Sequence, residues 1–196
     1  SCSFVDCSGN TCTLSCRADI YFNAEATDFT TPINPFEGEK WSAYLEVRDA
    51  DGNYDFASAI DQELNTLRAA AVNNAINYGT LSVADDTGTF NPTTTVSNVG
   101  NVAFDIELMG TDLTDGGSSR IPAEEQRFAT STFTYSACVS CGIISSTTPA
   151  LLELGLAKPT VPNPPVTAAV YWGIAVPVGV NSAPHSGINV FTPVSP

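Results

Sequence analysis

The chain has 196 residues, of which 43% are hydrophobic and only 14% charged, well under the roughly 25% charged residues of ordinary globular domains. Seven Lys and Arg against 21 Asp and Glu give a net charge of −14, a surface that repels phosphate and argues against nucleic-acid binding or anionic membranes. The most apolar run, 168–180, is interrupted by Gly173, Pro177 and Gly179, so no stretch approaches the roughly 18 apolar residues of a membrane span.

Six cysteines fall in two clusters, Cys2, Cys7, Cys12 and Cys16, then Cys138 and Cys141. An even, clustered set points to disulfides and an oxidising, extracellular or cell-surface location. The chain starts at Ser1 without an initiator Met or a signal peptide, so it is expected to be a processed protein or a piece of a longer one.

In chain order, Cys2 to Cys16 reads as a hairpin around Ser8-Gly9-Asn10-Thr11. Residues equidistant from that turn pair Cys7 with Cys12 and bring Cys2 near Cys16, one residue out of register. Nested bridges are therefore expected among the three ways four cysteines can pair. Asp19 to Ala26 alternates, with Ile20, Phe22 and Ala24 on one face, and after a loop with Pro32 the segment Trp41 to Asp49 alternates again through Ala43, Leu45 and Val47. Asp51-Gly52 signals a hairpin followed by Tyr54 to Ala59.

Residues 60–78 carry Leu64, Leu67 and Ala71 at helical spacing, yet end in Ala75-Ile76-Asn77-Tyr78-Gly79, which reads as a strand entering a turn. A linker and a strand are expected, with helix content under about 10% overall. The clearest pattern follows. Thr93 to Ser97 is β-branched, Asn98-Val99-Gly100-Asn101 is a turn, and Val102, Phe104, Ile106 and Leu108 line one face. Phe128 to Tyr135, Leu151 to Leu156, Val166 to Ile174 and Ile188 to Val194 complete an all-β pattern.

Ile76-Asn77-Tyr78-Gly79-Thr80-Leu81, followed by Thr95-Val96-Ser97-Asn98-Val99-Gly100-Asn101, resembles the immunoglobulin-like modules of large secreted prokaryotic surface proteins. Trp41 to Asp55, with its Asp-Ala-Asp-Gly-Asn turn, is similar to the last hairpin of an Ig-like or PKD-like repeat. The resemblance implies an immunoglobulin-like β-sandwich in two tandem units: residues 1–62, disulfide-containing and Ig/PKD-like, and residues 63–196. The cysteine clusters lie outside the module pattern, and no catalytic residues carry over from such modules.

Chemistry-bearing groups are sparse. The single His185 sits in a loop, Ala183 to Gly187, and no Gly-x-Ser-x-Gly elbow occurs. The carboxylate pairs Glu124-Glu125, Asp85-Asp86 and Asp112/Asp115 read as solvated loop charges rather than a glycosidase pair. Asp49, Asp51, Asn53 and Asp55 could supply oxygens to calcium, but the same residues make a plain hairpin turn. Cys138-Val139-Ser140-Cys141 has the spacing of a redox pair but lacks a following helix and a neighbouring cation, so a structural bridge is expected. Trp41, Tyr44, Tyr171 and Trp172 are candidates for a sugar-binding face, although Trp41 and Trp172 also fit core positions.

No enzyme is expected. The features favour a non-enzymatic structural protein, a subunit or module of a cell-surface fibre, pilus-like filament or surface layer. An adhesin or carbohydrate-binding module is the alternative. Self-association is expected by strand addition or through neighbouring modules of the same surface protein, without a cofactor unless calcium binds. In the tail 187–196, Ile188, Val190 and Val194 share one face and would pair with another chain until Pro193 ends the pairing.

Overall fold

Short runs of β-branched and aromatic residues punctuated by Gly, Pro and Asn favour strands, and the chain is all-β: no α-helix occurs among the described residues. The structure, a computed structural model, describes residues 1–9, 11–29, 34–59, 61–73 and 75–196. Asn10 of the first expected turn, Pro32 of the first loop, and Ile60 and Asn74 of the expected linker and strand lie outside the described residues. The chain divides into two compact units, Ser1–Thr66 and Leu67–Pro196.

The first unit is built from two ribbons. β1 (Cys2–Ser8) pairs antiparallel with β2 (Thr11–Cys16), placing Cys2 opposite Cys16 and Cys7 opposite Cys12. β1 has one residue more between its cysteines than β2, and the register shifts between Phe4 and Asp6. Val5 is that extra residue, left without a partner as in a β-bulge. β3 (Tyr44–Arg48) pairs with β4 (Tyr54–Ser58) around the Asp51-Gly52 turn, where Gly52 has a φ of +87°.

Two expected strands of this unit are corrected. Residues 19–26 form no strand, because the Ala24 N–H turns back to the Tyr21 carbonyl at 3.0 Å. Trp41 makes only an isolated bridge to Gln62, so strand structure starts at Tyr44. Trp41 is not a core residue either. It remains 39% exposed, with its indole N–H donated to the Glu25 carbonyl at 2.8 Å.

The second unit begins with β5 (Ala70–Asn73), β6 (Thr93–Asn98) and β7 (Phe104–Gly110). A small hairpin, β8 (Leu113–Thr114) with β9 (Arg120–Ile121), precedes β10 (Gln126–Ala129) and β11 (Gly142–Ile143). β12 (Ala150–Leu156), β13 (Val166–Ile174) and β14 (Asn189–Val194) close the chain. One sheet has the order β11-β10-β13-β6-β5, the other β12-β7-β14, and all pairings are antiparallel.

Inward residues of both sheets meet in one cluster. Phe104, Ile106 and Leu108 from β7 are fully buried with Val96, Val170 and Trp172. The Trp172 ring packs 5.9 Å from both Phe128 and Phe191, and its indole N–H donates to Thr94 Oγ1 at 2.9 Å. A buried indole needs such a partner. The β6–β7 turn is pinned from within. Asn98 Oδ1 accepts from the Gly100 N–H at 2.9 Å, and Asn98 Nδ2 donates to the carbonyls of Val102 and Ala157. Gly100 is required here, since a Cβ would lie 2.1 Å from the Leu67 carbonyl oxygen.

Two further expectations change. Residues 75–79 form no strand, although Ile76 and Tyr78 still pack on the core. The strand expected over 128–135 spans only Gln126–Ala129, because the chain turns into a 3₁₀ segment at Tyr135–Ala137.

Candidate functional site

The β3–β4 ribbon sets its side chains by register. Tyr44, Glu46 and Arg48 stand opposite Ser58, Phe56 and Tyr54, so all six share one face. Tyr44 and Phe56 stack with ring centroids 5.8 Å apart and planes at 24°, while Arg48 Nε pairs with Glu46. Tyr54 and Phe56 were not singled out from the sequence. Counting outward from Asp51-Gly52 would have placed them beside Tyr44. Of the other aromatic candidates, Trp172 is fully buried and Tyr171 partly so.

At the ribbon's tip, Asp49 is used by its own turn. Its Oδ1 accepts from the N–H groups of Asp51 and Asn53 at 3.0 and 2.8 Å, and its Oδ2 from Asn53 Nδ2 at 2.8 Å. The Asn53 amide foremost, with those backbone donors, holds the Asp49 carboxyl below its usual range. Asp55 caps its own strand through the Phe56 N–H. Among the described residues no group of three or more acidic, His or Cys side chains is arranged to hold a metal ion. The arrangement is that of a hairpin turn.

His185 finds a partner that sequence spacing gave no sign of. Its Nδ1 lies 2.8 Å from the Ala183 carbonyl, to which it donates, and its Nε2 lies 3.1 Å from the Ser119 hydroxyl. Ser119 Oγ also accepts the Asn181 N–H at 2.9 Å. A serine beside a histidine whose other nitrogen is anchored has the connectivity of an activated nucleophile. Ser119 is only 8% exposed, however, so the pair fastens the 181–185 loop to the β8–β9 hairpin. The loop carboxylates are similarly engaged. Asp112 accepts the Ala123 N–H, Asp115 the Gly117 N–H and Asp86 the Gly88 N–H.

The structure carries the bridges Cys2–Cys16, Cys7–Cys12 and Cys138–Cys141, with no free cysteine. The loop that carries the third holds a cation on its backbone, contrary to expectation. Arg127, eleven residues earlier on β10, donates Nη1 to the carbonyls of Tyr135 at 2.7 Å and Cys138 at 3.0 Å, with its guanidinium 4.5 Å from the Tyr135 ring centroid.

The tail residues Ile188, Val190 and Val194 lie along an edge strand. β14 pairs with β7 from Asn189–Gly110 to Val194–Asp105, so Pro193 does not end the pairing. The Thr111 N–H donates to the Ile188 carbonyl at 2.9 Å. Alternation along an antiparallel ladder then makes Pro193–Ile106 a non-hydrogen-bonded pair, where β7 requires no donor from proline. Ile188 and Val190 are 67% and 51% exposed, and Val194 is partly buried.

The chain matches no family model, no curated protein and no solved structure.

Proposed function

We propose that the chain is a non-enzymatic extracellular structural protein, a subunit or module of a cell-surface fibre, pilus-like filament or surface layer, built on immunoglobulin-like β-sandwich architecture. One observation carries the reading. In the first unit only Ala26 and Thr27 are buried among the described residues, while Tyr21, Phe29, Tyr44, Tyr54 and Phe56 are between 62% and 76% exposed. Large aromatics left in water gain little from burial, and the grouping of Tyr44, Tyr54 and Phe56 on one face of the ribbon supports an interaction site. The open edges of the β3–β4 ribbon supply unpaired backbone groups for strand addition. Three disulfides support an oxidising location.

Sedimentation and electron microscopy of the full chain test this. Concentration-dependent assembly is expected, weakened by Phe56→Lys on the aromatic face. A chain that stays monomeric at high concentration contradicts it. The second reading, an adhesin or carbohydrate-binding module, is favoured by the exposed Tyr44–Phe56 stack beside the Glu46–Arg48 pair, since sugars pack on aromatic faces and hydrogen-bond to charged neighbours. Glycan-array binding by a monomer, lost in Tyr44→Ala, would select it.

A further inference from the structure

The Cys138–Cys141 loop combines three features beyond a structural staple. The bridge spans only three residues of separation, with Val139 fully exposed between its cysteines. Cys138 carries the Arg127 guanidinium on its own carbonyl, at 3.0 Å. Cys141 lines a cleft of about 440 Å³ with Phe128, Ser140, Leu151, Leu152 and Glu153, opening between β11 and the edge strand β12. The two cysteines thus have different surroundings: a guanidinium is fixed on the backbone of Cys138, and Cys141 lines a cleft able to admit a side chain or an extended segment.

We propose that Cys138–Cys141 is an exchange-active disulfide that accepts a cysteine thiol of a partner peptide, with attack directed at Cys141. The partner thiol loses its proton to solvent, and its thiolate enters the cleft and forms a new S–S bond to Cys141 Sγ. The Cys138–Cys141 bond breaks, and its electron pair leaves on Cys138 Sγ as a thiolate, in the residue whose carbonyl holds the Arg127 guanidinium. A positive charge lowers the pKa of a thiol, and a thiol of lower pKa leaves faster. Return attack by Cys138 on the mixed disulfide releases the partner and restores the bridge, so the link is reversible. In each N-terminal bridge the two cysteines stand opposite one another in a hydrogen-bonded ribbon that realigns their sulfurs.

Reduced glutathione is added to the native full chain, and timed samples are quenched with excess N-ethylmaleimide, which caps the freed thiol, before peptide mapping. The expected product carries glutathione on Cys141 and maleimide on Cys138, formed about tenfold faster than any modification of the four N-terminal cysteines. Arg127→Gln should slow trapping about tenfold and Arg127→Lys should retain most of the rate, since charge rather than shape assists the leaving sulfur. A thermal melt of each variant separates lost exchange from lost folding. Glutathione on Cys138, faster reaction of the N-terminal bridges, or an unchanged rate in a folded Arg127→Gln chain would each overturn the proposal.

Discussion

Pro193 stands opposite Ile106 in the β14–β7 ladder at a position where the nitrogen of residue 193 faces away from β7. Any other residue there would present an N–H to the open side of the sheet. Proline removes that donor and blunts an edge that would otherwise recruit another strand. Restoring the donor with Pro193→Thr should strengthen edge-to-edge association by about 1 kcal/mol, or roughly fivefold in the association constant. Analytical ultracentrifugation of the two proteins at matched concentration reads this directly, and equal association would show that this edge is protected by something else.

The core of the second unit depends on Trp172 and on the hydroxyl that satisfies it. Trp172→Ala should cost about 3–5 kcal/mol through lost burial and the cavity left behind. Thr94→Val keeps the volume but leaves the indole N–H unpaired, at about 1–3 kcal/mol. Urea unfolding measures both, and a Thr94→Val chain as stable as the parent would mean that the indole finds another acceptor.

Gly142 lies against the Phe128 ring, where an added Cβ would approach Phe128 Cζ to 2.1 Å. Phe128 is itself fully packed against Trp172. Gly142→Ala should therefore destabilise by about 1–3 kcal/mol through overpacking. Its melting temperature should recover in the double variant with Phe128→Leu, which frees the space a methyl needs.

Burial, with the nearby Glu125 carboxylate adding to it, pushes the Tyr135 phenol up to about 12 from its ordinary 10.0. The folded chain keeps this phenol neutral while the unfolded chain ionises it, so its contribution is fully present below about pH 10 and is lost as pH rises towards about 12. Thermal melts across that range should show stability falling with pH. Tyr135→Phe should flatten part of the slope, at the cost of the hydrogen bond from the Tyr135 hydroxyl to the Glu125 carbonyl at 2.9 Å. A slope identical in the variant would place the alkaline loss elsewhere, for instance at Tyr78.

The all-β class and the core face of β7 were legible in the amino-acid sequence because both are local. Alternation with period two puts Phe104, Ile106 and Leu108 on one side of a strand whatever lies opposite, and turn residues set where strands stop. Short alternating runs elsewhere misled for the complementary reason. Residues 19–26 and 75–79 have a strand-like pattern but no ladder partner, and backbone pairing, not periodicity, makes a strand. The Val5 bulge was visible only as a mismatch of one residue between cysteine spacings.

What joins distant parts of the chain was decided by tertiary structure alone. Ser119 meets His185 across 66 residues, Thr94 meets Trp172 across 78, and Arg127 reaches Cys138 because the chain turns back through the 3₁₀ segment at Tyr135–Ala137. Hydrogen bonds of this kind act over about 3 Å of space and are indifferent to sequence separation. Composition and spacing therefore establish which groups the chain owns, whereas only the packing of its sheets settles which of them touch.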